Sequence, residues 1–418
     1  MFRPITQNDV RLIPYSPAYE RDELEIRVQV QGTADGTANI PLLLDGQPLA
    51  TLEGAVTAGE YTLLTYRLPL AGRAGIHTLT VGDAQVPLTV LGEEPLPLLD
   101  GGMLMLGPPN DRDGTDFFRD AVKSYTDTEW KRYINEMGRI GMTSFIVMVS
   151  HQYLTLEKRD LAAHYPSKLY PKSDIAAEDP LAAILESAEE SGMYVFLGLG
   201  NMYGHNATAA DAEELFERYH KYTSFYGWYL AEEFGMNKED LHRWERYKEI
   251  TPTLRKLAPA MPILVSPYCT PSEEFGEYLK TDTDVDIIMP QDQCCSSFTP
   301  LKTSEKLFRD LQRVCRAAGK HAWANCESFD WIGNLQAKNF NGEGKYLTAR
   351  YFGGGMEGPN GFDRQLRTVR PFVEKISTFM LIGFFAPPSV LPICGGAAAL
   401  KQYMDYVAYR EKVMKHAE

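Results

Sequence analysis

The sequence predicts a mixed α/β protein: a (β/α)8 barrel preceded by a small antiparallel β-sandwich. Three observations lead there. Up to about residue 92 apolar and polar side chains alternate with a period of two, and from about residue 103 apolar runs alternate with stretches of helical spacing. Between the two textures lies Gly92-Glu-Glu-Pro-Leu-Pro-Leu-Leu-Asp-Gly-Gly102, rich in the residues that punctuate chains. The expected division is therefore a sandwich over 1–92, a linker over 93–102 and a barrel over 103–418. A chain of 418 residues has room for both, since one such barrel takes about 250 residues.

The first strand signal is Glu23–Gln31, where Leu24, Ile26, Val28 and Val30 alternate with Glu25, Arg27 and Gln29. In Leu42-Leu-Leu-Asp-Gly-Gln-Pro-Leu49 the pair Asp45-Gly46 tolerates positive φ and marks a hairpin. Further short strands are expected at Tyr61–Leu68, Gly75–Val81 and Val86–Leu91. With no helical period before about residue 115, the sandwich reads as immunoglobulin-like.

Beyond the linker, Met103–Leu106 reads as a first barrel strand. Thr128 then caps a helix with Trp130, Tyr133, Ile134 and Met137 on one face, followed by the apolar run Thr143–Val149. The same unit recurs, with later strands expected at Met193–Leu199, Phe225–Leu230, Pro262–Ser266, Val285–Met289 and His321–Asn325. An eighth, Phe379–Phe385, follows a helix around Arg364–Lys375, and a last helix spans about Ala397–Lys415. Strands written as continuous apolar runs suit a parallel sheet covered on both faces.

Composition narrows the function. Hydrophobic residues are 44% and charged residues 23%, ordinary globular values that support a large core. A net charge of −14, from 56 acidic against 42 basic residues, argues against a nucleic-acid partner, which requires a clustered basic surface. The most apolar segment, Phe379–Leu400, is broken by Pro387, Pro388 and Pro392, so no membrane span is expected. The six cysteines form no C-x-x-C pair, and the start of the chain has no apolar signal-peptide core. Both point to a cytoplasmic protein with free thiols.

In a parallel barrel the residues just after each strand meet at one rim, and there the chemistry concentrates. The fourth strand runs Tyr226-Gly-Trp-Tyr-Leu-Ala and stops at Glu232-Glu233; the seventh runs into Asn325-Cys-Glu327. Glycoside hydrolysis needs such a pair, one carboxylic acid to protonate the leaving oxygen and one carboxylate to act as nucleophile or to activate water. Glu233 is the candidate acid, Glu327 the nucleophile or base, and Glu232 the neighbour that could replace Glu233. The other strand ends offer polar and aromatic contacts for sugar: His151, Asn201, Tyr203, His205, Tyr268, Gln291, Asp292, Asn325 and Trp331, with Phe234 and Phe329 nearby. An oligosaccharide or glycoside is the expected partner, with no cofactor and no metal.

The four stretches Gly227-Trp-Tyr-Leu-Ala-Glu-Glu233, Val265-Ser-Pro-Tyr268, Asp286-Ile-Ile-Met-Pro-Gln-Asp292 and Ala324-Asn-Cys-Glu327 resemble, in this order, an uncharacterised bacterial family of glycosidase-like TIM barrels. More broadly the arrangement is similar to clan A glycoside hydrolases, whose acid/base follows strand four and whose nucleophile follows strand seven. The resemblance implies Glu233 as acid/base, although the Asn that precedes the strand-four acid in that clan is replaced here by Glu232.

Other readings of the same residues stay open. Glu232, Glu233 and Glu327 could cap helices or pair with arginine. Glu233, Asp292, Glu327 and His205 could hold a divalent ion as in barrel sugar isomerases, although no H-x-H or H-x-x-x-H pair supports it. A barrel that binds sugar without cleaving it would keep the same aromatics.

Overall fold

A computed structural model describes residues 1–112, 115–200, 207–281, 284–295, 299–332, 346–349 and 361–417. The chain separates into two compact units, Met1–Pro95 with Lys248–Pro262, and Leu96–Tyr247 with Ile263–Glu418.

The first unit holds eight strands: β1 (Val10–Ile13), β2 (Ala18–Tyr19), β3 (Glu23–Gln31), β4 (Gly36–Leu44), β5 (Gln47–Val56), β6 (Tyr61–Pro69), β7 (Gly75–Val81) and β8 (Ala84–Leu91). They form two sheets, ordered β1-β3-β6 and β2-β8-β7-β4-β5, antiparallel except for the β2–β8 pair. Leu24, Ile26, Val28 and Val30 of β3 share one core with Ile40 and Leu42 of β4 and Leu79 and Val81 of β7, so the sheets pack face to face. Asp45 and Gly46, at φ 50° and 77°, close the β4–β5 hairpin at the predicted pair. The other side of β3 is buried as well. There Arg27 Nε donates to Glu25 Oε1 at 2.8 Å, and the guanidinium of Arg67 reaches Glu25 Oε2 at 2.7 Å, so both oxygens of the buried Glu25 carboxylate meet a cation.

The second unit is built on a parallel sheet. Its strands are β9 (Gly101–Leu104), β10 (Ser144–Val147), β13 (Tyr194–Leu199), β14 (Phe225–Leu230), β15 (Ile263–Val265), β16 (Ile287–Ile288), β17 (His321–Ala322), β18 (Ala324–Glu327) and β21 (Ile376–Phe379). A hairpin of β11 (His151–Tyr153) and β12 (Leu161–Ala163) and another of β19 (Phe329–Ile332) and β20 (Tyr346–Ala349) lie outside this sheet. The order is β17-β16-β15-β14-β13-β10-β9-β21-β18, all pairs parallel. The two end members are consecutive in the chain, with Trp323 alone between them, so the sheet is nearly closed and barrel-like. At that point Trp323 N donates to Ile288 O at 3.0 Å on one side and Ala324 N to Lys375 O at 2.9 Å on the other. The stretch expected as one strand, His321–Asn325, is thus divided between two neighbours.

Two expectations are corrected in this sheet. Gly101 and Gly102, expected in the linker, open β9; a Cβ on Gly101 would stand 2.1 Å from Ser144 O, so the close approach of β10 requires glycine there. The last strand is Ile376–Phe379, not Phe379–Phe385. The preceding helix is shorter than expected, Phe362–Val369, and the apolar run after the strand turns instead to pack Phe384 on Phe329 (5.8 Å) and Phe385 on Tyr406 (6.0 Å). The helix after Thr126 starts two residues early: Thr126, not Thr128, is its cap, in a reciprocal capping box with Glu129.

The sheet is anchored at the amino ends of its strands by a buried ion group. Asp100 accepts from Arg370 (2.8 Å) and from the Ile376 N–H (2.8 Å), with Lys375 Nζ at 3.5 Å. Burial alone would raise the Asp100 carboxyl, but the two cations outweigh it and hold it below its ordinary value.

Candidate active site

The residues after β14, β16 and β18 meet at the carboxyl side of the sheet. After β14 the chain reaches Glu232, buried, and Glu233, half-buried. Their main chain is held from a neighbouring helical segment: Tyr247 hydroxyl donates to Glu232 O at 2.9 Å, and Arg243 Nη2 to Glu233 O at 3.3 Å. The Glu233 carboxyl hydrogen-bonds the Gln291 side chain and faces Arg112. Its burial raises its pKa, and the Gln291 bond and the Arg112 charge oppose that shift without cancelling it. Burial likewise lowers Arg112, to about 10, against the pull of Glu233.

After β16 the chain makes a sharp turn. Gln291 bridges in parallel to Asn325, and Gln293 takes a left-handed conformation at φ 54°, uncommon for a residue with a side chain. The turn aims two consecutive N–H groups at carboxylates: Cys294 N donates to Asp292 Oδ1 at 3.3 Å, and Cys295 N to Glu327 Oε2 at 2.7 Å. Asp292 Oδ1 also accepts the Glu327 N–H at 3.1 Å, and Asp292 Oδ2 accepts from Gln365 Nε2 at 2.6 Å. Gln291–Cys295 therefore runs from one acid to the other, bonded to Glu233 at its start and to Glu327 at its end.

Glu327 closes β18 and is 1% exposed; Asp292 and Asn325 are fully buried. Asn325 points into the sheet interior, its Nδ2 donating to Ser266 Oγ at 2.9 Å. Ser266 in turn bonds Tyr229, whose hydroxyl is pushed far up, first by burial and then by the charges of Glu233 and Glu232. The Cys326 thiol is also pushed well up by burial and by Asp292 beside it, which keeps it protonated.

The other candidates distribute as follows. Tyr268 is half-buried, its hydroxyl bonded to Arg243 and its N–H donating to Phe234 O at 3.1 Å. His151 is fully buried in the β11 hairpin, stacked on Tyr170 at 5.1 Å with Nε2 3.8 Å from Asp211 Oδ2. Phe234 and Phe329, expected as sugar platforms, are each 1% exposed and belong to the core. Asn201, Tyr203, His205 and the side chain of Trp331 lie outside the described residues. Among the described residues no three His, Cys, Asp or Glu side chains group as a metal site, and no helix is long and apolar enough to cross a membrane.

Sequence reasoning missed Arg112 and Gln365. Arg112 follows β9, so the rule applied to the other strand ends would have found it. Gln365 sits inside the helix Phe362–Val369 and carries no local signal at all.

Comparisons bear on the fold. Among solved structures, a Bacteroides thetaiotaomicron protein called a "putative alpha-L-fucosidase" is similar with a TM-score of 0.53 at 17% identity, over 77% of this chain and 95% of that one. An endo-beta-1,4-mannanase from Thermotoga petrophila gives 0.47 at 10% identity over 77% and 78%. A glycoside hydrolase family 5 mannosidase from Rhizomucor miehei gives 0.45 at 12% over 77% and 95%. At such identities the likeness to the first is one of fold. No curated protein matches this chain. The family model described as Domain of unknown function (DUF4434) matches residues 113–350, more than half of the sequence, and the chain belongs to that family.

Proposed function

We propose that this protein is a glycoside hydrolase in which Glu233 is the general acid and Glu327 the nucleophile or base, acting on an oligosaccharide or glycoside. On this reading the parallel sheet is a (β/α)8 barrel whose seventh strand is β17 and β18 together. The first unit is then an immunoglobulin-like sandwich, and the Pro-rich stretch that follows Leu91 and ends before β9 is the linker. One observation carries the proposal: the turn Gln291–Cys295 links two carboxylates placed in different environments. Burial favours the protonated form of Glu233, which suits a group that must give a proton to the glycosidic oxygen. The N–H of Cys295 holds the Glu327 carboxylate in place, which suits a group that attacks the anomeric carbon or takes a proton from a water that does. The leaving group departs with the proton from Glu233, and one water is consumed per bond cleaved. Asp292, bonded to the Glu327 N–H and to Gln365, and Asn325, bonded to Ser266, support the acids in this scheme.

The test is a screen of aryl glycosides and oligosaccharides with and without chelator. Hydrolysis should resist chelation, and Glu233→Gln and Glu327→Gln should each lower kcat by about a thousand-fold or more with the fold intact. Glu232→Gln should stay within about ten-fold. Activity lost to chelator would favour the ion-dependent isomerase reading, and sugar binding without turnover the non-catalytic one.

A further inference from the structure

We infer that Gln365 is a positioning residue that fixes where the Glu327 carboxylate stands, a role that rests on reading Glu327 as a reacting group. Gln365 is fully buried on the helix Phe362–Val369. Its Nε2 donates to Asp292 Oδ2 at 2.6 Å and to the Glu327 main-chain oxygen at 3.0 Å. Both neighbours are acceptors, so the amide can face them only with its NH2 end, and its orientation is determined. Asp292 meanwhile accepts the N–H of Glu327 at 3.1 Å and that of Cys294 at 3.3 Å. Glu327 is thus held at its N–H by Asp292, at its carbonyl by Gln365 and at its carboxylate by Cys295 N–H at 2.7 Å. Gln365 closes this arrangement by touching both of the first two points.

Among the described residues Gln365 Oε1 is buried and has no hydrogen-bond partner. The unpaired oxygen costs stability, while the NH2 end serves two buried acceptors that a methionine would leave bare. A glutamine here makes sense for what its NH2 holds. Because the Gln365 NH2 is spent on Asp292 and on the Glu327 main chain, its loss should act on turnover, not on substrate binding.

The experiment compares wild type with Gln365→Met, and with Gln365→Glu in case the first variant folds poorly. Hydrogen-exchange mass spectrometry on fragments covering 291–295 and 324–328 reads the positioning directly, whatever the reaction is. Exchange there should quicken by about ten-fold while a fragment covering 225–230 stays unchanged. On a glycoside that the wild type cleaves, kcat should fall by about 10- to 100-fold with KM held within about three-fold, since a displacement of an ångström at the reacting group is enough. The pair Asp292→Asn with Gln365→Glu reverses donor and acceptor and should recover part of the kcat lost by Gln365→Glu alone; a packing role would give additive losses. Unchanged exchange at 291–295 and 324–328, or a loss expressed in KM alone, would overturn the role. If the wild type cleaves no glycoside while exchange still quickens, the positioning stands and the glycosidase reading falls.

Discussion

Replacing Gln291 by leucine should move the protonation of Glu233 in a known direction. The Gln291 amide hydrogen-bonds the Glu233 carboxylate and is the larger of the two influences that lower its pKa, the other being Arg112. Both stabilise the ionised form, so removing the amide leaves burial less opposed and the pKa rises further. A hydrogen bond to a charged group contributes about 1.5–3 kcal/mol, and one pKa unit corresponds to about 1.4 kcal/mol. Glu233 is half-buried, so water replaces part of the lost bond, and the lower end, about one unit, is the expected shift. A general acid works only while protonated, and activity is lost as pH rises through its pKa. The alkaline limb of the kcat profile should therefore move up by about one unit in Gln291→Leu, and by less in Arg112→Met. Carbon-13 NMR titration of the Glu233 carboxyl measures the same shift without substrate. A carboxyl that titrates at the wild-type pH or lower in Gln291→Leu would refute the account of the site electrostatics. An NMR shift without a matching move of the limb would remove Glu233 from the acid role.

Three further outcomes concern the frame that holds the site. Asp100→Asn removes the carboxylate charge that faces the buried Arg370 and Lys375 and should lower stability by about 3–5 kcal/mol in denaturant titration. Because the Asp100 carboxyl is held below its ordinary value, its stabilisation is present above the unfolded aspartate pKa and is lost as pH falls through the folded one, so the variant should also be less sensitive to acid. His164 is buried and neutral, its pKa lowered to about 3 by burial first and by His151 and Lys123 after it. The unfolded chain then binds a proton that the folded one refuses, stability declines as pH falls from about 6.5 towards 3, and His164→Gln should flatten that decline in thermal melts recorded against pH. Gln293→Gly should be neutral or stabilising by up to about 1 kcal/mol in the same melts, since glycine adopts φ 54° freely, whereas Gln293→Val should destabilise by about 1–2 kcal/mol.

What could be read from the sequence was local. The period-two run Leu24–Val30 specifies a strand and its core face, Asp45-Gly46 specifies a hairpin because those residues accept positive φ, and apolar runs after helical stretches specify a covered parallel sheet. The strand-end rule also brought Glu233, Gln291, Asp292 and Glu327 into view, since side chains after parallel strands share one rim. What depended on the partner across the sheet was beyond reach. The charged face of β3 is buried, its cost offset in part by the ion pairs among Glu25, Arg27 and Arg67, and an alternating pattern says only which face is apolar. The Gly101-Gly102 pair looked like a linker because what requires glycine there is distant in sequence, the backbone of Ser144 for Gly101 and the side chains of Leu381 and Thr378 for Gly102. Phe379–Phe385 looked like a strand because it is apolar, yet its rings are spent on Phe329 and Tyr406 after the true strand has ended. The separate environments of the acids are likewise products of tertiary contact. Glu233 owes its raised pKa to burial opposed by Gln291 and Arg112, and Glu327 its place to Asp292, Cys295 and Gln365. Periodicity records how each element meets water and core, whereas these contacts exist only once closing the sheet brings distant strand ends within hydrogen-bonding distance.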